Sequence, residues 1–149
     1  MIRSAIANAP AEPIVPGTRM AAYAGVSLPV KLGIKCDTTL SLVDAPRGFL
    51  EKLGRLPRGV GVSRRGERKS DLILWFVTRR ADLEGRVVRM RERVGKGGLW
   101  IIWPKRSSGV ESNLTQTVVR AVGMGNGLVD YKIASIDATW TGLRFARRG

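Results

Sequence analysis

The residues best placed for chemistry follow an apolar run near the middle of the chain. Residues 99–103 read LWIIW, which predicts a buried strand, and Lys105, Arg106, Ser107 and Ser108 come soon after it. In an open α/β sheet, ligands bind where strand ends meet helix starts. Two cations, two hydroxyl groups and flexible backbone amides can together hold an anion. We therefore expect the main binding site at Lys105 and the loop after it, although such a loop is also typical of plain solvated surface.

Four further polar or aromatic residues lie at predicted strand ends or turns. Asp44 and Asp137 each stand where a strand meets a turn, where a carboxylate can bind a hydroxyl group, act as a base, or stabilise its own turn. Thr78 follows a strand and can cap the next helix. Trp140 lies just past the Asp137 turn and is the best candidate for a pocket wall. The predicted ligand-binding set is Asp44, Thr78, Lys105, Ser107, Ser108, Asp137 and Trp140.

Several chemistries lack the residues that they need. The chain has no histidine and a single cysteine, Cys36, so the usual base near neutral pH, a thiolate metal cage and an internal disulfide are excluded, and we predict no metal site. The glycines at 123, 125 and 127 follow a predicted helix instead of a strand, which indicates a helix stop and not a nucleotide-binding loop. A serine–lysine dyad at Lys105 lacks a strained nucleophile turn, so no catalytic residue is assigned.

The charge balance points to a second class of function. Lys and Arg total 26 against 12 Asp and Glu, for a net charge of +14, which favours polyanionic partners. The same excess of arginine also arises from the base composition of a GC-rich genome, so both explanations stay open. If the charge is functional, the expected nucleic-acid contacts are Arg64, Arg65, Arg68, Lys69, Arg86, Arg89 and Arg93.

Alternating strand and helix patterns must position these residues. Strands are predicted at residues 38–43, 60–62, 72–77, 99–103, 128–136 and 140–147, with helices between most of them. The runs at 72–77 and 99–103 are apolar without alternation, which is typical of parallel strands covered on both faces. The last two strands read as a hairpin. We predict a three-layer Rossmann-like α/β sandwich, mostly parallel, with a C-terminal antiparallel hairpin.

Composition also predicts the character of the first residues, the absence of a membrane span and the location of the chain. Residues 1–22 are rich in alanine and proline, which predicts a flexible extension before a single α/β domain at residues 23–149. No apolar run approaches transmembrane length, and we expect no membrane association. A lone thiol and the absence of a signal peptide favour the cytoplasm.

A set of short motifs occurs along nearly the whole chain in one order. Those that carry the resemblance are Ala24-Gly25, Lys31-Leu32-Gly33-Ile34, Ala45-Pro46, Gly48-Phe49, Phe76-Val77-Thr78, Leu99-Trp100, Trp103-Pro104-Lys105, Ser108-Gly109-Val110, Leu114-Thr115, Val118-Val119-Arg120, Gly127-Leu128-Val129-Asp130, Asp137 and Thr139-Trp140-Thr141-Gly142-Leu143. In these motifs the chain resembles a small bacterial family of domains of unknown function. That resemblance implies a fold similar to a shortened class I methyltransferase sheet and implies no particular activity.

The resemblance to class I methyltransferases implies two local features. One is a glycine-rich loop after the first strand, and the other is an acidic residue at the end of the second strand. Here the first loop begins Asp44-Ala45-Pro46, and the second strand ends near Ser63-Arg64. Both features are missing, so we expect no cofactor. The expected function is a non-enzymatic domain that binds a small anionic ligand or a partner. The alternatives are a nucleic-acid-binding protein and a divergent methyltransferase that uses S-adenosylmethionine.

Overall fold

The computed structural model describes residues 27–64 and 69–148. The predicted extension at residues 1–22 lies outside the described residues, as do Arg65 and Arg68. In chain order the elements are α1 (Leu28–Leu32), β1 (Thr39–Val43), α2 (Phe49–Leu53), β2 (Gly61–Ser63), β3 (Ser70–Phe76), α3 (Arg80–Arg93), β4 (Val94–Pro104), a 3-10 turn (Arg106–Ser108), α4 (Gln116–Gly125), β5 (Leu128–Ser135) and β6 (Trp140–Arg147).

One six-stranded sheet organises these elements, in the order β2-β1-β3-β4-β6-β5. The first four strands in this order pair in parallel, with Leu42 of β1 opposite Leu74 of β3. Strand β6 then pairs antiparallel with both β4 and β5. The predicted fold class, a mostly parallel sheet with a C-terminal antiparallel hairpin, is confirmed.

Helices cover both faces of the sheet, which explains why residues 72–76 of β3 and 99–103 of β4 are apolar at every position. On one face α3 and α4 bury side chains such as Leu83 and Val119 against Trp75 and Ile101 of the sheet. On the other face α1 and α2 pack Leu32 and Leu53 against the opposite side chains of the same strands. Successive side chains of a strand point to opposite faces, so a strand with no exposed face must be apolar at every position.

Two helix starts differ from the sequence prediction. Thr78 does not cap α3, because that helix begins two residues later, at Arg80. The Arg80 amide instead donates to Oδ1 of Asn113, which lies in the loop before α4. Asn113, with Gln116 three residues later, has the spacing of a capping box and predicts a cap for α4, but that helix begins at Gln116, and Thr115 accepts the hydrogen bond from the Val118 amide. The loop before α4 therefore supplies caps to two helices. These hydrogen bonds hold the loop beside the end of β3.

Candidate functional site

The order of the strands creates a crevice between the carboxyl ends of β1 and β3. From β1 the chain runs outward to β2 and then returns to β3 on the other side of β1. Chain connections therefore leave β1 and β3 in opposite directions, and the space above the two strand ends stays open. In open α/β sheets this topological switch point is where ligands bind. The residues that follow the two strands are Asp44 and, after Val77, Thr78.

Asp44 is the centre of this crevice. Its backbone has a left-handed conformation, with φ of 57°, and its side chain is 58% exposed. Asp44 lines a cleft on each side of itself. The cleft beside α2, of about 220 Å³, is lined by Leu42, Asp44, Ala45, Pro46, Phe49, Leu50 and Arg64. The cleft beside α3, of about 150 Å³, is lined by Asp44, Phe76, Val77, Thr78, Asp82, Arg86 and Trp140. We call these the α2 cleft and the α3 cleft.

A partly exposed ion pair crosses the crevice. Arg86 of α3 donates from Nη1 to Oδ2 of Asp44 at 2.6 Å, and its guanidinium lies 5.8 Å from the centre of the Trp75 ring. The Arg86 side chain is 38% exposed. An ion pair in such contact with water contributes only about 1 kcal/mol or less to stability. Both charges therefore remain able to exchange partners with a ligand.

Three aromatic rings form the inner wall of the site. Phe49 and Phe76 meet edge to face, with ring centres 4.8 Å apart, and Phe76 meets Trp140 in the same way at 5.2 Å. Trp140 is half-buried, so part of its indole faces the α3 cleft. Edge-to-face contacts are favourable because the positive ring edge lies over the negative face. The wall is thus rigid and apolar beside the charges of Asp44 and Arg86.

Asp137 holds Trp140 in place from behind the wall. Its Oδ1 accepts the backbone amides of Thr139 and Trp140 at 2.8 Å, and its Oδ2 accepts Lys52 Nζ at 2.8 Å. Burial alone would raise the pKa of Asp137, but the hydrogen bonds from Lys52 and the two amides outweigh it and lower the pKa below its ordinary value. Asp137 is therefore a turn residue that carries its charge at neutral pH, and it does not line either cleft.

The loop after β4 is a separate region. Lys105 donates from Nζ to Ser135 Oγ at 2.6 Å, and Ser108 donates from Oγ to the Lys105 carbonyl at 2.6 Å. Ser107 is exposed in the 3-10 turn. Two clefts, of about 120 Å³ and about 270 Å³, lie beside this loop, and none of the described residues that line them lines the α2 or α3 cleft. The structure thus brings Asp44, Thr78 and Trp140 together and leaves Lys105, Ser107 and Ser108 at the next strand end.

The predicted nucleic-acid contacts are divided between the two edges of the sheet. Arg64 and Arg86 lie at the carboxyl edge, in the two clefts. Lys69 is exposed before β3, at the amino edge, and Arg93 ends α3 at the same edge. Arg89 is exposed on the outer side of α3. The described members of this set do not share one surface.

Sequence reasoning missed the role of Arg86 and the contributions of Phe76 and Asp82 to the α3 cleft. The sequence placed Arg86 only among the expected nucleic-acid contacts. The one local signal was position: Asp82 lies in the first turn of the helix after β3, and Arg86 is one turn further along the same side. Their relation to Asp44, 42 residues before Arg86, depends on the strand order.

Neither a clustered metal-ligand set nor a membrane-spanning helix occurs among the described residues. Residues 27–64 and 69–148 contain no group of three or more His, Cys, Asp or Glu side chains arranged to hold a metal ion. Within the same ranges, no helix has both the length and the apolar character that a membrane crossing requires.

Comparisons with known proteins identify the fold. No protein-family model and no curated protein matches the chain. Among solved structures, ribosomal protein L11 methylase from Lactobacillus delbrueckii subsp. bulgaricus is 13% identical, with a TM-score of 0.52 over 92% of this chain and 84% of that one. The fold is methyltransferase-like. A SAM-dependent methyltransferase from Aquifex aeolicus is 10% identical, with a TM-score of 0.50 over 89% of this chain and 98% of that one.

A third neighbour contains the methyl donor. Magnesium protoporphyrin IX methyltransferase from Synechocystis PCC 6803, solved with bound SAM, is 8% identical, with a TM-score of 0.50 over 88% of this chain and 79% of that one. These neighbours correct three expectations: that the domain is non-enzymatic, that its function is to bind a small anion or partner, and that it takes no cofactor. They favour the alternative of a divergent methyltransferase. The earlier expectations failed because they rested on two missing local motifs, whereas the fold is defined by strand order.

Proposed function

We propose that this chain is a divergent methyltransferase that binds S-adenosylmethionine at the switch point between β1 and β3. The observation that carries the proposal is the position of Asp44. It follows the first strand of a sheet with methyltransferase-like topology and lines both clefts of the crevice. The similarity to the solved methyltransferases over most of their length supports this choice.

The charged groups of the crevice suit the amino-acid end of the donor. That end carries an ammonium and a carboxylate group, and Asp44 and Arg86 present the two opposite charges side by side. Asp44 would bind the ammonium group and Arg86 the carboxylate, so each would exchange its present partner for one on the donor. Because the Asp44–Arg86 pair is partly exposed, breaking it costs little.

The apolar surfaces suit the remainder of the donor. Leu42, Pro46, Phe49 and Leu50 line the α2 cleft, which would receive the adenine ring. The partly exposed ring of Trp140 lies in the α3 cleft, where an aromatic face attracts a positively charged sulfonium group. The chain departs from the usual pattern at the end of β2, where Arg64 stands in place of an acid that would accept the ribose hydroxyl groups.

The α3 cleft also offers a carboxylate for the acceptor. When bound, the donor supplies an electrophilic methyl group on sulfur. Asp82 lies in the first turn of α3, lines this cleft and is exposed, so its carboxylate would accept the proton that a nitrogen or oxygen nucleophile loses on methylation. Thr78 lines the same cleft, and its hydroxyl group would orient the nucleophile.

Three broader statements belong to the same proposal. We place the chain in the small bacterial domain family that its ordered motifs resemble. Residues 23–149 would form one catalytic domain, supported by the single continuous sheet that the described residues build. A cytoplasmic location is supported by the free and exposed thiol of Cys36, which suits a reducing compartment.

Titration calorimetry with S-adenosylmethionine tests the proposal directly. We expect saturable binding by the intact chain and a loss of about tenfold or more in affinity for Asp44→Asn. Asparagine tolerates the left-handed backbone of position 44 and removes only the charge. The control is Glu92→Gln, which removes a carboxylate from an exposed position near the far end of α3. Absence of binding by the unaltered chain, or equal losses in both variants, would contradict the proposal.

A further inference from the structure

Each of the four parallel strands is followed closely by an exposed arginine. Arg47 follows β1, Arg64 follows β2, Arg79 follows β3 and Arg106 follows β4. All four therefore lie at the carboxyl edge of the sheet, around the switch-point crevice. Two of them line clefts: Arg64 the α2 cleft, and Arg106 both clefts beside the 3-10 turn. We call these four residues the cationic rim.

The charges of the rim are not neutralised within the part of the chain that the structure describes. No ion pair or side-chain hydrogen bond joins any of the four guanidinium groups to another described residue. Of the acids at this edge, Asp44 pairs with Arg86 and Asp137 with Lys52, while Asp82 in the α3 cleft and Glu111 in the loop after β4 form no ion pair with a described residue. Exposed cations left without acidic partners around a cleft create a positive potential that attracts polyanions.

The other edge of the sheet provides an internal comparison. Its exposed cations include the lysines at positions 35, 69 and 96 and the arginines at positions 58, 147 and 148, so what distinguishes the carboxyl edge is the setting of its arginines. Arginine has a planar fork that binds two phosphate oxygens at once, whereas lysine binds as a compact point charge. The partly exposed indole of Trp140, a ring on which a base can stack, lies at the same edge of the sheet, in the α3 cleft. Arginines around an aromatic cleft match a phosphodiester chain better than an acidic polypeptide, which has no rings to stack.

We propose that the cationic rim binds a single-stranded nucleic acid and directs one of its bases into the α3 cleft beside Trp140. The rim arginines hold the phosphates on either side of that base, and the base then lies against the indole. This inference rests on the proposed function in one respect: the base that enters the α3 cleft is the methyl acceptor. The binding itself requires no donor.

Fluorescence anisotropy with labelled single strands of about 20 nucleotides, as RNA and as DNA of the same sequence, tests the binding. The rim variant is Arg47→Gln, Arg64→Gln, Arg79→Gln and Arg106→Gln combined. We expect its affinity to fall about tenfold or more and its log–log salt slope to weaken by about 2 to 3, as loss of four phosphate contacts implies. The relative affinities for RNA and DNA identify which of the two is the partner.

The matched control removes an equal number of positive charges, four, from the opposite edge of the sheet. It combines Lys35→Gln, Arg58→Gln, Lys69→Gln and Lys96→Gln, and we expect a change of less than about threefold. Equal losses of nucleic-acid affinity in the two variants would show that binding depends on net charge alone and would contradict the proposed role of the cationic rim. Displacement of the nucleic acid by polyglutamate at equal charge concentration would also overturn it, in favour of an acidic protein. Failure of the unaltered chain to bind either strand would do the same.

A separate measurement keeps this inference distinct from the proposed function. Arg64 also lines the α2 cleft, so a second rim variant keeps Arg64 and changes only positions 47, 79 and 106. We expect it to bind S-adenosylmethionine normally and the nucleic acid weakly, and to transfer less methyl label to the strand. If nucleic-acid binding follows the rim but no variant binds the donor, the proposed function fails and the binding surface stands. If the donor binds normally but the rim variants bind nucleic acid as well as the unaltered chain does, only the proposal for the cationic rim is wrong.

Discussion

The carboxyl ends of β1 and β4 are followed by similar polar residues, yet the chain uses them differently. After β4, Lys105 and Ser108 form hydrogen bonds with Ser135 and with the loop backbone. After β1, Asp44 forms an exposed ion pair with Arg86 between two clefts. Both regions contain a cation within hydrogen-bonding reach of an acceptor. At the end of β1 both charged partners line the α3 cleft, whereas after β4 Lys105 lines a cleft but its acceptor Ser135 does not. The Asp44–Arg86 pair therefore presents both of its groups to a ligand, while the Lys105–Ser135 pair serves the loop.

Arg86→Gln is the variant that tests this difference between the two regions most strongly. We expect affinity for S-adenosylmethionine to fall about 10- to 100-fold, because a charged hydrogen bond to the donor carboxylate is lost. The free energy of unfolding should change by about 1 kcal/mol or less, since the Asp44–Arg86 pair is partly exposed. Calorimetry and urea unfolding measure the two quantities. Arg89→Gln, on the exposed side of the same helix, is the control; a similar loss of affinity there would mean that general charge, and not Arg86, attracts the donor.

Asp137→Ala should show the opposite balance. It removes the acceptor for two backbone amides and for Lys52, so we expect the free energy of unfolding to fall by about 2 kcal/mol. Donor affinity should fall only severalfold, through looser placement of Trp140. Urea unfolding beside Glu111→Ala, an exposed loop carboxylate, measures the effect. A full loss of donor binding with unchanged stability would make Asp137 part of the binding site.

The charge of Asp137 also predicts a dependence on acid. Its pKa is lower in the folded chain than its ordinary value of 3.8. The stabilisation by the carboxylate is therefore fully present above that value and is lost as the pH falls through the lower folded pKa. We expect the stability difference between the unaltered chain and Asp137→Asn, about 1 kcal/mol near neutral pH, to shrink below about pH 4. A difference that stays constant as the pH is lowered well below about 4 would place the effect in packing and not in charge.

Local sequence predicted the strands of this fold well because burial on both faces leaves a local mark. The runs that contain Leu74 and Ile101 are apolar at every position, which only strands covered on both faces require. The helix caps were wrong where a partner came from elsewhere: Asn113 was read with the helix beside it in sequence, but it caps α3, 33 residues away. A side chain's nearest amide in sequence was not its nearest amide in space.

The candidate site was harder to predict for the same reason. That Asp44 stands at a switch point depends on β2 pairing outside β1, and no residue near Asp44 encodes this order. The motifs sought in the sequence were contiguous, whereas Asp44, Arg86 and Trp140 come from three separate segments. The sequence pointed to Lys105 because a strand, a cation and hydroxyl groups lie together there. The same combination occurs in a loop whose polar groups form hydrogen bonds with one another.

The smallest expected effect is that of Lys105→Met, and it tests the other half of the comparison. The Lys105 ammonium donates to Ser135 Oγ at a partly exposed position, so its loss should lower the free energy of unfolding by about 1 kcal/mol or less. Donor affinity should change less than about twofold, since Lys105 lines neither cleft at Asp44. Ser135→Ala removes the same hydrogen bond from its acceptor side and should match Lys105→Met in stability, and the double variant should add little more. If Lys105→Met instead weakened donor binding as much as Arg86→Gln, the site would extend along the sheet edge to β4, and the residues first singled out in the sequence would belong to it.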